Sequence, residues 1–266
     1  MSVDHLEKRL LLSSGQYNEL IVSFNKEMYS LEEMWLLITA YLELGSYNYI
    51  ERWLEILEKN CHNNYHKAYW NYLKGRYLSY KCDYKEANTF LEKARTIQAA
   101  CEVDDKLLKC KISIEQAFVA FMLNKNEKFF NILNSSANEL NYIEHPEKSF
   151  HIGRMAYLSG ILLFDLCHLD QAEKQLKKSL KIFRELNNHH YIGHNLKLLA
   201  NISSLQKNLH QAVTQEEEAL RSYECVGNIT GVMTTTTVLK NLCSEVGQIE
   251  KSQNYTARLE SMLQDF

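Results

Sequence analysis

Proline is almost missing from this chain: Pro146 is the only one, and glycine occurs just nine times in 266 residues. In a helix interior glycine costs about 1 kcal/mol and proline about 3 kcal/mol relative to alanine. Their scarcity, beside 45% apolar residues, implies helices throughout, around a large buried core. An excess of one charge is also lacking. A net charge of −3 and a pI near 6.4 exclude a general attraction to nucleic acid or anionic lipid. No stretch approaches the roughly 18 apolar residues of a membrane span. The opening MSVDHLEKRLLLSSGQ has neither the apolar core nor the cleavage site of a secretory signal. A cytoplasmic location, with no membrane or nucleic-acid partner, is the expectation.

The cysteines are seven, an odd number, scattered from Cys61 to Cys243 and never in a C-x-x-C arrangement. That suits packed, reduced thiols better than a disulfide framework or a zinc site. His62 with His66, and His190 with His194, share helical faces, but no suitably spaced third ligand completes either pair. There is no Gly-rich phosphate loop, nucleophile elbow or paired-carboxylate constellation, and the hydroxyl runs at Ser13-Ser14 and Thr234–Thr237 have no base beside them. No catalytic residue, cofactor or metal is expected.

What is present is a repeat. Tyr17, Tyr47, Tyr84, Asn126, Leu169, Leu209 and Ile249 each open a second helix after a short polar turn, and the last five are spaced by 42, 43, 40 and 40 residues. Nine residues before the anchors stand Gly75, Ala117, Gly160 and Ala200; three after them stand Ala87, Ala172 and Ala212; ten after them stand Ala94, Ser136, Ser179 and Ala219. Small side chains at matched positions let paired helices approach closely. This pattern resembles the tetratricopeptide repeat, with a period of about 40 where the ordinary unit has 34. Phe129 stands where the fourth unit should carry alanine, and the family's junction proline is absent. The resemblance implies an all-α, right-handed superhelical solenoid of about seven hairpins. These run approximately over 3–28, 31–59, 65–101, 106–141, 148–187, 189–225 and 229–264, in one domain spanning 1–266.

In such an array the first helices line a concave groove. Their groove-facing positions hold Tyr69, Tyr72, Arg76 and Tyr80 in the third unit, and Arg154 and Tyr157 in the fifth. In the last two they hold His194, Lys197 and Asn201, then Thr237 and Asn241. Aromatic rings beside a guanidinium form the kind of surface enriched in binding hot spots. Asn201 and Asn241, 40 apart, occupy equivalent places on neighbouring hairpins, where amides that both donate and accept can bracket an extended backbone. The expected partner is therefore a peptide or protein segment, bound without catalysis.

The long period and the richness in Asn, Tyr, Lys and Glu resemble the peptide-sensing helical domains of bacterial regulators of the Rap and PlcR type. That resemblance implies a sensor or adaptor in bacterial signalling, with concave asparagines, here Asn201 and Asn241, holding peptide backbone. The other expectation is a scaffold or homodimer acting through its N-terminal hairpins or its convex face. Leu10, Leu11, Leu12, Ile21, Phe24 and Trp35 are expected there as exposed apolar surface. The basic stripe from Lys174 to Arg184 reads as a solvated convex face.

Overall fold

The computed structural model describes residues 3–24, 30–44 and 47–264. Positions 25–28 of the first expected hairpin and 45–46 of the second lie outside them. Among the described residues there are fourteen α-helices and no strand. They form two compact units, Met1–Met155 and Ala156–Phe266.

The first unit holds α1 (Val3–Ser13), α2 (Tyr17–Ser23), α3 (Leu31–Leu44), a 3-10 turn (Tyr47–Tyr49), α4 (Ile50–Lys59), α5 (Asn64–Tyr80), α6 (Tyr84–Ala99), α7 (Lys106–Met122) and α8 (Asn126–Asn141). Helix α9 (Lys148–Asp165) begins in it and ends in the second unit, which continues with α10 (Leu169–Glu185), α11 (His189–Leu205), α12 (Leu209–Cys225), α13 (Ile229–Glu245) and α14 (Ile249–Gln264).

The turns explain why the hairpins keep one design. Two residues before six of the second helices, α2, α6, α8, α10, α12 and α14, the chain enters the left-handed region: φ is 73° at Gly15, 64° at Cys82, 58° at Asn124, 60° at Cys167, 64° at Lys207 and 77° at Gly247. A residue in that conformation lets the next backbone N–H reach five residues back and cap an otherwise unpaired helix carbonyl. Asp83 N donates to Leu78 O at 2.9 Å, and His168, Asn208 and Gln248 repeat the bond at 2.8 Å. Helix starts are capped by short polar side chains. Asn63, Asp83, Asp105, Asn188 and Asn228 each accept from the backbone N–H three residues on, at 2.8 to 3.2 Å.

The small residues of the repeat mark where paired helices touch. A Cβ on Gly75 would fall 2.7 Å from Leu91 Cγ, and one on Gly160 would fall 2.7 Å from Leu176. Ala87, Ala94, Ala117, Ala172, Ala212 and Ala219 are fully buried. Phe129, the exception, is buried as well and packs edge-on against Phe130. In the second unit Tyr223 fills the space left by Gly193 and Gly231, and Phe183 stacks on Tyr191 with ring centroids 4.4 Å apart.

The N-terminal helices differ from expectation. Leu12, Phe24 and Trp35 are buried, Leu11 and Ile21 are partly so, and only Leu10 is exposed. Leu12 and Phe24 join Tyr17, Leu20, Leu36, Leu37 and Ala40 in a core of their own, while Trp35 packs into the larger cluster of the third hairpin. The sequence pattern showed an apolar surplus there; the helices α1 to α3 consume it among themselves and against α5.

Candidate functional site

The residues singled out in the sequence fall into two settings. Tyr69, Tyr72, Arg76, Tyr80 and Arg154 belong to the first unit, and all but the half-buried Tyr80 are buried. Tyr69 lies flat on Trp35, ring centroids 3.8 Å apart, and accepts a hydrogen bond from Lys111 Nζ at 3.1 Å. Arg76 is 1% exposed. Its Nη2 donates to Glu43 Oε1 at 2.7 Å and its Nε lies 2.9 Å from Glu115 Oε1. Arg154 Nη2 reaches the same Glu115 oxygen at 2.6 Å. Beside them Glu147 pairs with Arg9 of α1, with Lys111 at 2.7 Å, and faces His151 at 3.5 Å.

Four cations thus share three carboxylates in a space almost closed to water. Burial would raise the Glu147 carboxyl, but Lys111, His151 and Arg9 hold it well below the usual range. Burial takes the His151 imidazole down to about 4, so it is neutral at pH 7. Around Arg76 the neighbouring Tyr72, Glu115, Tyr80 and Glu43 outweigh burial and hold the guanidinium firmly charged. The space left among these side chains is about 20 Å³, enough for one water molecule. On this face the chain's own α1 and α3 stand where a ligand was expected.

The second setting is open. Tyr157, His194, Lys197 and Asn201 are half-buried, and Thr237 and Asn241 exposed, on α9, α11 and α13 of the second unit. Tyr157 meets Tyr191 edge-on and lies beside His194, whose Nδ1 is 3.1 Å from the Tyr223 hydroxyl. The His190 and His194 Nε2 atoms are 3.2 Å apart, bonded to each other. Lys197 Nζ donates to Thr234 Oγ1 at 2.9 Å, tying α11 to α13. Further along the same two helices, the amides of Asn201 and Asn241 have no partner among the described residues.

Sequence reasoning missed the carboxylates Glu43, Glu115 and Glu147, the cations Arg9 and Lys111, and Glu216. Glu216 sits eighth in α12, where α6, α8 and α10 have Leu91, Leu133 and Leu176. It is fully buried, neither of its oxygens has a partner, and burial pushes its carboxyl up to about 7 although Lys197 pulls the other way. The signal was present: a charged residue in the apolar phase of a helix, as in Ile112-Ser-Ile-Glu-Gln-Ala.

An all-α array of helical hairpins with small residues at the crossings is the architecture of helical-repeat proteins. Residues 152–224 match the family model of the tetratricopeptide repeat. No curated protein matches the sequence. Among solved structures, the chain is similar to a Rap protein complexed with Competence and Sporulation Factor, with a TM-score of 0.68 and 14% identity over 97% of this chain and 75% of that one. It is similar to aspartyl phosphate phosphatase F from Bacillus subtilis, with a TM-score of 0.65 and 14% identity over 100% of this chain and 76% of that one. The Rap conjugation gene regulator of the plasmid pLS20, in complex with the Phr* peptide, gives a TM-score of 0.61 and 14% identity over 98% and 72%. At such identities the likeness is one of fold.

Proposed function

We propose that this protein is a non-catalytic regulatory module that binds an extended peptide or partner segment along the first helices of its second unit. The observation that carries this reading is the pair Asn201 and Asn241. They are repeat-equivalent, on α11 and α13, and their amides have no partner among the described residues beside the Lys197–Thr234 bridge. A buried peptide backbone must find donors and acceptors, and side-chain amides supply both. Tyr157 offers a ring, and Lys197 a cation for an acidic side chain or a terminal carboxylate. In this reading Tyr69, Tyr72, Arg76, Tyr80 and Arg154 hold α1 and α3 in place and do not touch the ligand. The complexes named for two of the similar structures, one with a peptide, favour the same use of the fold. The seven free thiols suit a reducing, cytoplasmic setting.

The test is a fluorescent library of extended five- to eight-residue peptides, screened against the wild-type chain and against Asn201→Ala, Asn241→Ala and Lys197→Ala. A peptide bound by the wild type and weakened about tenfold by each substitution, with helical content unchanged, is the expected result. A bound peptide indifferent to all three sinks the reading.

A further inference from the structure

A second place in the molecule breaks the packing rule of the repeat. The fifteenth residue of the second helix is Leu140 in α8, Phe183 in α10 and Tyr223 in α12, all buried. In α6 it is Gln98. Ten residues before each second helix, α11 has Leu199 and α13 has Leu239, both buried, whereas α7 has Gln116. The two glutamines, 6% and 1% exposed, line the same cleft, which is bounded by α6, α7 and α8 and has a volume of about 610 Å³. At these two positions the cleft has amides where α8, α10 and α12, and α11 and α13, place large apolar side chains. Ligand pockets commonly run from about 300 to 1,000 Å³.

The lining says what would fill it. Gln116 Nε2 is buried without a hydrogen-bond partner among the described residues, a loss that a ligand acceptor would repair. On the rim Lys109 pairs with Glu139 at 3.2 Å and Lys128 with Glu92 at 3.4 Å. Arg95 of α6 and Glu127 of α8 remain, with opposite charges and no partner among the described residues. An apolar ligand would leave the amide and both charges unmatched, and a simple anion would face Glu127 and Glu139.

We propose that this cleft binds a small zwitterion of dipeptide size, its carboxylate toward Arg95, its ammonium toward Glu127 and an amide carbonyl accepting from Gln116. The site is separate from the α11 and α13 face and does not depend on that reading. The experiment is calorimetric titration with a panel of free dipeptides, each also in N-acetylated and C-amidated form. It is run on the wild type, Gln116→Leu and Arg95→Ala. Gln116→Leu installs the residue that α11 and α13 already carry, so it is expected to melt no lower than the wild type. Arg95 is exposed, so its truncation leaves the fold alone. Binding of a free dipeptide, weakened at least about tenfold by each variant and by blocking either terminus, is the expected result. No binding by any dipeptide up to about 10 mM, or binding that survives both variants or both blocked termini, overturns the proposal.

Discussion

Arg76 Nη2 donates to Glu43 Oε1 at 2.7 Å across 33 residues of sequence, with both side chains 1% exposed. In sequence this guanidinium, on one helical face with Tyr69, Tyr72 and Tyr80, reads as part of a groove surface. Here it is the centre of a core, and its partners come from α3 and α7.

Breaking that core from one side is expected to be costly. Glu115→Ala leaves Arg76 and Arg154 buried without their shared carboxylate, and removing one partner of a buried ion pair costs about 3–5 kcal/mol. Trp35, Trp53 and Trp70 all lie in the first unit, so urea melts followed by tryptophan fluorescence read its stability directly. A midpoint equal to the wild type's would show that the cluster contributes nothing.

Glu216 makes the second unit sensitive to pH. Its folded pKa of about 7 lies above the roughly 4.3 of an unfolded glutamate. The contribution is therefore fully present below about pH 4 and is lost as pH rises through 7, when a buried carboxylate without a partner must ionise. Glu216→Leu, which restores the side chain of the other hairpins, is expected to stabilise the protein at pH 8 by about 2–3 kcal/mol and by much less at pH 5. A difference between variant and wild type that stays constant from pH 5 to 8 in chemical denaturation would contradict this.

Lys207 and Cys167 adopt φ of 64° and 60°, a conformation that costs a non-glycine residue about 1–2 kcal/mol. Glycine there gains this back less its extra freedom in the unfolded chain. Lys207→Gly should raise the thermal midpoint slightly, while Gly247→Ala, at φ 77°, should lower it. Calorimetry on the pair checks the sign of each.

Gly160→Ala tests the crossing of α9 and α10. The new methyl gains about 1 kcal/mol of helix propensity but lands 2.7 Å from two atoms of Leu176, and overpacking of that kind costs about 1–3 kcal/mol. Net destabilisation is expected, with relief in the double variant Gly160→Ala, Leu176→Ala. If the single variant is more stable than the wild type, the helices have room to separate.

The all-α repeat was legible because its cause is local. Spacing of Gly75, Gly160 and the buried alanines reports a close helix crossing within one hairpin, and one hairpin is about 40 consecutive residues. The site was legible only in part. Lys197 and Asn201 are half-buried on α11 and Asn241 is exposed on α13. Tyr72 and Arg76 share their register, yet nothing within α5 announces that Trp35 and Glu43 will lie against it. Leu12, Phe24 and Trp35 misled in the same way: an apolar surplus looks identical whether it meets a partner or the chain itself. Glu216, Gln98 and Gln116 were visible as polar residues in an apolar phase, and comparing the hairpins position by position would have exposed them.

The contact between Arg9 and Glu147 spans 138 residues, where most helix contacts of this fold join elements close in sequence. Stacked repeats of this kind ordinarily lose their hairpins one at a time from the ends. This bond ties α1 to the turn that leads into α9, so the two sequence ends of the first unit depend on one another. The first unit should therefore melt as one block and fold slowly, since a long loop must close before the pair rewards it.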